Sequence, residues 1–158
     1  MKILYTAFKG KNNSSKNLLD KIKATNKLYL TNSFNKSVLE IIDAIKNNEY
    51  DFIICFGQAP LENNTLKIEI IGKNENRDYK TKYDYSLLKN ELDKNNYKVI
   101  ISTDAGNYLC NNVYYNTLKY VENNSLKSQV IFLHIPNIFN INNVEKLASV
   151  FYDNNDKI

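Results

Sequence analysis

The residue best suited to chemistry in this sequence is a cysteine, Cys110. It follows an apolar stretch, Lys98–Ser102, and a small-residue loop, and it lies at the start of a segment with helical periodicity. A thiol in the first turn of a helix sits at the positive end of the helix dipole, where free amides stabilise a thiolate and can hold an oxyanion. The alternative is a small buried apolar residue, as most free cysteines are. Cys55, inside the apolar run Asp51–Phe56, fits only that alternative.

The one histidine of the chain, His134, is the second candidate. It ends the apolar run Gln129–Leu133 and precedes Ile135-Pro136. Histidine is the side chain that titrates near neutral pH when unperturbed, and a nucleophilic cysteine needs such a base. A half-buried ring with a structural role is the alternative. If the chain is a cysteine hydrolase, His134 must be the base.

A carboxylate, Glu69, is the third candidate. It alternates with Leu66, Ile68 and Ile70 in a segment whose other face, with Thr65 and Lys67, is polar. Such a carboxylate can accept a hydrogen bond from the second ring nitrogen of a catalytic histidine, which fixes the tautomer and stabilises the imidazolium. The alternative is a carboxylate that faces solvent.

The elements that must position these residues alternate between short apolar runs and amphipathic stretches. We expect strands at Lys2–Phe8, Lys27–Thr31, Asp51–Phe56, Thr65–Ile71, Lys98–Ser102 and Gln129–Leu133. We expect helices from Ser14 or Ser15 to about Ala24, at Asn35–Asn47, Tyr85–Lys94 and Asn107–Glu122, and from Asn142 or Asn143 to about Tyr152, with a loop at Lys73–Lys82. The alternation predicts a single three-layer α/β/α domain over residues 1–158 with a mostly parallel central sheet. Because ligands bind beyond the carboxyl ends of such strands, we expect Gly57, Cys110 and His134 at one edge of the sheet.

Composition excludes several other classes of protein. The net charge is +4, and Arg77 is the single arginine among 21 basic residues, whereas nucleic-acid-binding surfaces cluster their cations and favour arginine. Met1-Lys2 runs into an apolar segment too short for a signal peptide, and no apolar run approaches the roughly 20 residues of a membrane span. We therefore expect a cytoplasmic protein with reduced thiols and with neither a nucleic acid nor a membrane as partner.

The segment around the cysteine carries a resemblance to a known family. The nucleophile motif of pyroglutamyl peptidase I, the pyrrolidone carboxyl peptidase family, runs Ser-x-x-Ala-Gly-x-Tyr/Phe-x-Cys-Asn. It is matched here by Ser102, Ala105, Gly106, Tyr108, Cys110 and Asn111. The family's histidine motif resembles Phe132-Leu133-His134-Ile135-Pro136, and its Glu-x-x-Ala-x-Asn resembles the segment from Glu69 to Asn74, with Gly72 in place of Ala. Its Gly-Gln-Ala turn is matched by Gly57-Gln58-Ala59, and Phe8 stands where its Thr-Gly-Phe motif ends.

The resemblance implies removal of an N-terminal pyroglutamyl residue from a small peptide substrate with a blocked N-terminus, without metal or organic cofactor. It implies Cys110 as nucleophile, His134 as base and Glu69 as the residue that orients the base. It also implies that Gln58 bonds the lactam of the substrate while Phe8 and Tyr108 flank the ring. Whether the protein forms a homo-oligomer is left open.

Two departures from the family pattern leave the substrate open. Gly10-Lys11 stands where the family has a second pocket aromatic, and Pro60-Leu61-Glu62 stands where it has Gly-Gly-Arg. The chain is also shorter than its relatives. One alternative is therefore a shortened relative that acts on another N-blocked or lactam substrate. Another is a non-catalytic α/β binding module that keeps the motifs as scaffold.

Overall fold

The computed structural model describes all 158 residues and is built around a six-stranded sheet. The strands of that sheet are β1 (Ile3–Phe8), β2 (Asn26–Leu30), β3 (Phe52–Gln58), β4 (Thr65–Glu69), β7 (Lys98–Ser102) and β8 (Gln129–Ile135). A separate two-stranded hairpin comprises β5 (Ile71–Gly72) and β6 (Tyr79–Lys80). The helices are α1 (Ser14–Lys21), α2 (Phe34–Lys46), α3 (Ser86–Lys94), α4 (Leu109–Asn123) and α5 (Val144–Ala148), with a 3₁₀ turn at Ile138–Asn140.

The strand order is β2-β1-β3-β8-β4-β7. The first four strands are mutually parallel; β4 and β7 are parallel to each other but antiparallel to β8. The predicted α/β class with a mostly parallel sheet is confirmed. The expectation that every strand leading to the site ends at one edge is wrong for β7. β7 runs in the direction opposite to β8 and ends at Ser102, which lies level with Glu69 and Phe132. The chain must therefore turn back across the sheet face to bring Cys110 to the site.

Two apolar layers cover the two faces of the sheet. On one face α2 and α4 pack through residues such as Ile41 and Val113 against Ile53 of β3. On the other face α1, α3 and α5 pack against Ile54 and its neighbours, through Leu18, Leu19, Leu88, Leu92 and Leu147. The central strands are apolar on both faces because helices cover both of them.

Local sequence accounts for most of the helix starts. Asn13, Ser33 and Asn143 are the N-cap residues of α1, α2 and α5, and each accepts a hydrogen bond from a first-turn amide. Strand β6 lies within the segment 73–82, for which a loop was predicted. A strand of two residues leaves no periodic pattern in the sequence, so it could not be predicted. The closing helix ends at Ala148, earlier than predicted. None of the helices combines the length and the apolar character that a membrane span requires.

Candidate active site

A buried histidine–carboxylate pair forms the centre of the site. His134 Nδ1 lies 2.8 Å from Glu69 Oε1, and the two side chains are only 9% and 1% exposed. The register between β4 and β8 brings the two side chains together. Lys67 lies opposite His134 and Glu69 opposite Phe132, so Glu69 is the diagonal neighbour of His134 on the same sheet face. The bond leaves the Nε2 atom of the imidazole free for a second partner.

Burial excludes the solvent-facing alternative for Glu69. Its face of β4 is covered by α4, from which the Tyr114 hydroxyl donates a 2.7 Å hydrogen bond to the Glu69 carbonyl oxygen. The wetter face predicted for this strand is therefore wrong at Glu69. Apart from the bond to His134, the carboxylate is unsupported, because its Oε2 atom is buried and accepts no hydrogen bond.

The thiol of Cys110 lies against the backbone of β3 at Gly57. A methyl carbon placed on Gly57 would come within 2.5 Å of Cys110 Sγ and 2.9 Å of the Phe132 ring. Gly57 is paired in register with His134 on the neighbouring strand, and residues in register share a sheet face. The thiol therefore lies over the strand next to His134, on the face that carries the imidazole. The structure thus brings the three predicted residues Cys110, His134 and Glu69 together.

The start of α4 presents free amides beside the thiol. Cys110 is the second residue of the helix, and the N-cap residue Tyr108 makes no side-chain cap. The first amides of a helix have no acceptor within the helix, so those of Leu109, Cys110 and Asn111 have none there. Free amides at such a position can donate hydrogen bonds to an oxyanion.

Burial acts against ionisation of the Cys110 thiol. Burial raises the pKa of this thiol to about 12, with further contributions from nearby Cys55 and from the negative charge of Glu69. Loss of hydration therefore favours the neutral thiol, whereas the position at the helix start favours the thiolate. A proton acceptor is needed when the sulfur attacks.

Asn111 and Gly57 were not predicted to hold the site together. The Asn111 side chain accepts a hydrogen bond from the Lys73 amide (2.9 Å) and donates one to the Lys73 carbonyl (3.0 Å). These bonds fix the first turn of α4 to the chain that follows β5. The sequence signal for Gly57 was present, since a glycine that ends a run of bulky strand residues often marks a close approach of another group.

The predicted substrate-binding residues lie in three different surroundings. Phe8, at the end of β1, is 3% exposed and belongs to the apolar cluster that also contains Leu109. Gln58 follows Gly57 on the opposite face of the sheet, and its Oε1 accepts a 2.8 Å hydrogen bond from the Ser14 amide at the start of α1. Tyr108 is exposed on the outer surface. Of the three, the structure places Phe8 on the face of the thiol; a lactam contact by Gln58 and a ring contact by Tyr108 stay predictions.

Known proteins resemble this chain in sequence and in fold. The family model described as pyroglutamyl peptidase matches residues 74–154. A pyrrolidone-carboxylate peptidase of a Thermoanaerobacter species is 30% identical, over 86% of this chain and 82% of that protein. One from Brachyspira hyodysenteriae is 29% identical over 71% of this chain and 66% of its own length. The crystal structure of pyroglutamyl peptidase I from Bacillus amyloliquefaciens superposes with a TM-score of 0.81 at 20% identity, covering 95% of this chain and 93% of that one.

The structural likeness by itself shows a shared fold. The sequence matches add the family, since they reach 30% identity over most of both chains and include the segments that carry Cys110 and His134. This chain therefore belongs to the pyroglutamyl peptidase family of cysteine peptidases.

Proposed function

We propose that the protein hydrolyses the amide bond after an N-terminal pyroglutamyl residue of a peptide, with Cys110, His134 and Glu69 as a catalytic triad. The observation that carries the proposal is the buried 2.8 Å contact between Glu69 Oε1 and His134 Nδ1 on the sheet face where the Cys110 thiol lies. The names of the relatives, pyrrolidone-carboxylate peptidases, support the substrate class.

In the first half of the reaction the sulfur becomes acylated. The neutral Cys110 thiol gives its proton to His134 Nε2 as the sulfur attacks the pyroglutamyl carbonyl carbon, and the carbonyl oxygen becomes an oxyanion. The free amides at the start of α4 donate hydrogen bonds to that oxyanion. When the C–N bond breaks, the imidazolium returns the proton to the leaving amine, and a thioester on Cys110 remains.

In the second half water releases the product. His134 takes a proton from a water molecule, whose oxygen attacks the thioester carbonyl. The C–S bond breaks, the sulfur recovers the proton from His134, and pyroglutamate leaves as a carboxylic acid that then ionises. Glu69 acts in both halves, because its negative charge stabilises the imidazolium and its bond to Nδ1 keeps Nε2 aimed at the reacting atoms.

The pyroglutamyl ring needs an apolar pocket with polar partners for its lactam. Phe8 lies at the sheet edge beside Gly57 and supplies an apolar surface next to the nucleophile. Gln58 follows Gly57 at the end of β3; its contact with the lactam is inferred from the family resemblance, since its side chain lies on the other sheet face with its oxygen bonded to Ser14. A mechanism that depends on a free thiol also requires a reducing environment, so we propose that the protein works in the cytoplasm, where Cys55 and Cys110 stay unpaired.

A turnover assay tests this function. Pyroglutamyl amides with a chromogenic leaving group should be hydrolysed by the wild-type protein, and Cys110→Ala should retain the fold and lose the activity. A panel of acetylated, formylated and other lactam-bearing amides should react more slowly. Rapid cleavage of one of those with no cleavage of pyroglutamyl amides would show that the active site serves a different N-blocked substrate. No cleavage of any of them by folded protein would favour a binding module.

A further inference from the structure

A lysine, Lys67, lies directly opposite the proposed catalytic histidine. The antiparallel register of β4 and β8 pairs Lys67 with His134. Residues paired in this way share a sheet face, with Cβ atoms about 4.5–5.5 Å apart. Lys67 is half-buried between two buried neighbours on its strand, Leu66 and Ile68. The lysine therefore stands next to the imidazole, on the sheet face over which the Cys110 thiol lies.

The ammonium group of Lys67 has no anionic partner within the protein. Its Nζ atom takes part in none of the salt bridges of the molecule. Two carboxylates on the same side of the molecule already have partners: Glu69 is bonded to His134, and Asp104 forms a 3.5 Å salt bridge with Lys73. Because a half-buried charge without a partner has lost part of its hydration, it gains from binding an anion from outside.

The ammonium lies close to the loop 103–108, which leads from β7 to α4. The Gly106 amide and Lys73 hold the pKa of Asp104, a residue of this loop, below its usual range. The positive charge of Lys67 adds to this effect, so its ammonium is near the loop. The loop continues into the helix start that carries Cys110. Lys67 thus lies at the β4 side of the site, near both the imidazole and the loop that leads to the thiol.

Four neighbouring strands, about 4.8 Å apart, place a row of unlike groups across this sheet face. The row runs from Phe8 of β1 to Gly57 of β3, with the thiol above it, then to His134 of β8 and Lys67 of β4. In the proposed reaction the pyroglutamyl ring lies against Phe8, and His134 gives its proton to the leaving nitrogen. The leaving nitrogen therefore lies on the His134 side of the reacting carbon. The peptide that follows this nitrogen is directed away from Phe8, toward β4 and Lys67.

We propose that Lys67 binds a carboxylate on the leaving part of the substrate and makes the enzyme favour acidic leaving groups. The carboxylate is either the side chain of an aspartate or glutamate that follows the pyroglutamyl residue or the C-terminal carboxylate of a pyroglutamyl dipeptide. This inference rests on the proposed function and adds a charge preference on the leaving side of the scissile bond. An ammonium about 4 Å from a carboxylate in a partly exposed site gives a preference of about fivefold.

Two matched pairs of substrates test the proposal and distinguish the two carboxylates. Pyroglutamyl-glutamate amide and pyroglutamyl-glutamine amide differ in the charge of the side chain. Pyroglutamyl-glutamine with a free C-terminus and its amide differ in the charge of the C-terminus. The quantity measured is the ratio of kcat/KM for the charged substrate to kcat/KM for the neutral substrate of each pair. Comparing this ratio between wild type and variant cancels any difference between the leaving amines.

Lys67→Gln should lower the ratio about fivefold in at least one pair, mainly through KM of the charged substrate, and change the neutral substrates less than about twofold. A change in the first pair alone identifies an acidic residue as the ligand, and a change in the second pair alone identifies the C-terminus of a dipeptide. Lys67→Arg keeps a cation and should keep the wild-type ratio, whereas Lys67→Glu should lower it further. In the wild-type protein the ratio should fall as salt is added, since mobile ions screen an exposed ion pair.

A matched control is Lys127→Gln, which removes an exposed lysine from the loop between α4 and β8, at the opposite end of the sheet. It should leave both ratios unchanged. Equal losses for charged and neutral substrates in Lys67→Gln, with an unchanged melting temperature, would overturn the proposal, because Lys67 would then act on the pyroglutamyl part that all substrates share. Wild-type kinetics of Lys67→Gln on all four substrates would also overturn it while leaving the proposed function intact. If no pyroglutamyl substrate is cleaved by the wild-type protein, the proposed function fails and the assignment of Lys67 fails with it.

Discussion

The two cysteines lie on one sheet face in different surroundings, and we propose a catalytic role for Cys110 alone. Cys110 is partly exposed at a helix start, whereas Cys55 is fully buried in β3 two residues before Gly57. Burial raises the pKa of both thiols to about 12. The pKa therefore does not distinguish them; the position of Cys110 beside His134 and the free amides does.

Exchanging each cysteine for serine separates these roles. Cys110→Ser should lose nearly all turnover, because a hydroxyl is a far weaker acid and nucleophile than a thiol in this position. Cys55→Ser should retain turnover per folded molecule and lose about 1–3 kcal/mol of unfolding free energy, since it buries a hydroxyl among apolar groups. The measurements are the turnover rate of both variants and their unfolding free energy from urea denaturation. Loss of turnover in Cys55→Ser with normal turnover in Cys110→Ser would contradict the assignment of the nucleophile.

The carboxylate of Glu69 gives a second prediction at this scale. Glu69→Gln keeps the shape of the side chain and removes the charge that stabilises the His134 imidazolium, so kcat should fall roughly 10²–10⁴-fold. Circular dichroism and the melting temperature control for the fold. Wild-type turnover of this variant between pH 5 and 9 would show that the buried pair has no part in catalysis.

At the scale of elements, close contact between β3 and α4 sets the position of the thiol. Only a glycine at residue 57 lets the helix start approach the strand, because a Cβ atom there would lie 2.5 Å from Cys110 Sγ. A second glycine of the chain, Gly72 in β5, allows a similar approach: a Cβ atom at that position would lie 2.7 Å from Tyr115 Cα in the middle of α4. Gly57 and Gly72 thus allow α4 to pack closely against β3 and β5.

These two glycines provide a matched pair of variants. Gly57→Ala should displace Cys110 and the Phe132 ring, lower kcat at least about a hundredfold, and cost about 1–3 kcal/mol of unfolding free energy. Gly72→Ala should cost similar stability and affect kcat much less, because its clash is with helix backbone away from the thiol. Turnover assays that give kcat and chemical unfolding that gives the unfolding free energy of both variants test this prediction. Equal effects on kcat would mean that contact of Gly57 with the thiol is unimportant.

At the scale of the whole molecule, many ionisable groups are buried in their neutral form. Burial raises the pKa of Cys55 and Cys110 to about 12, and it also raises the pKa values of Tyr5, Tyr83 and Tyr114. The unfolded chain ionises these groups at lower pH than the folded protein does. Their contribution to stability is therefore fully present below about pH 8.5, where unfolded thiols keep their protons, and is lost as the pH rises toward the folded values.

We accordingly expect the unfolding free energy to fall steeply between pH 9 and 11. Each buried group contributes a slope of about 1.4 kcal/mol per pH unit in its window. Cys55→Val removes one such group and should reduce the slope by about that amount, whereas exposed Tyr152→Phe should leave it unchanged. Urea unfolding at pH 7, 9, 10 and 11 provides the measurement. A flat profile up to pH 11 would contradict the burial of these groups in neutral form.

The sequence by itself determined the elements and the chemical types at the site. Alternation of apolar and amphipathic segments is a local pattern, so the α/β class and most element bounds could be predicted from it. The residues Cys110, His134 and Glu69 could be selected because their types are rare or unusually placed, and the family motifs supplied their pairing.

Tertiary structure decided how these residues meet. The antiparallel direction of β4 places Glu69 diagonal to His134 and buries it, and the same reversal makes the chain after β7 cross the sheet face. The contact of Gly57 with the thiol and the packing of Phe34 on Tyr108 also join segments far apart in the sequence. The direction and the neighbours of a strand result from long-range packing. A hydrophobic period of two or 3.6 residues reports only local structure and carries no information about them. The same packing removes water from Cys110 and thereby raises its pKa.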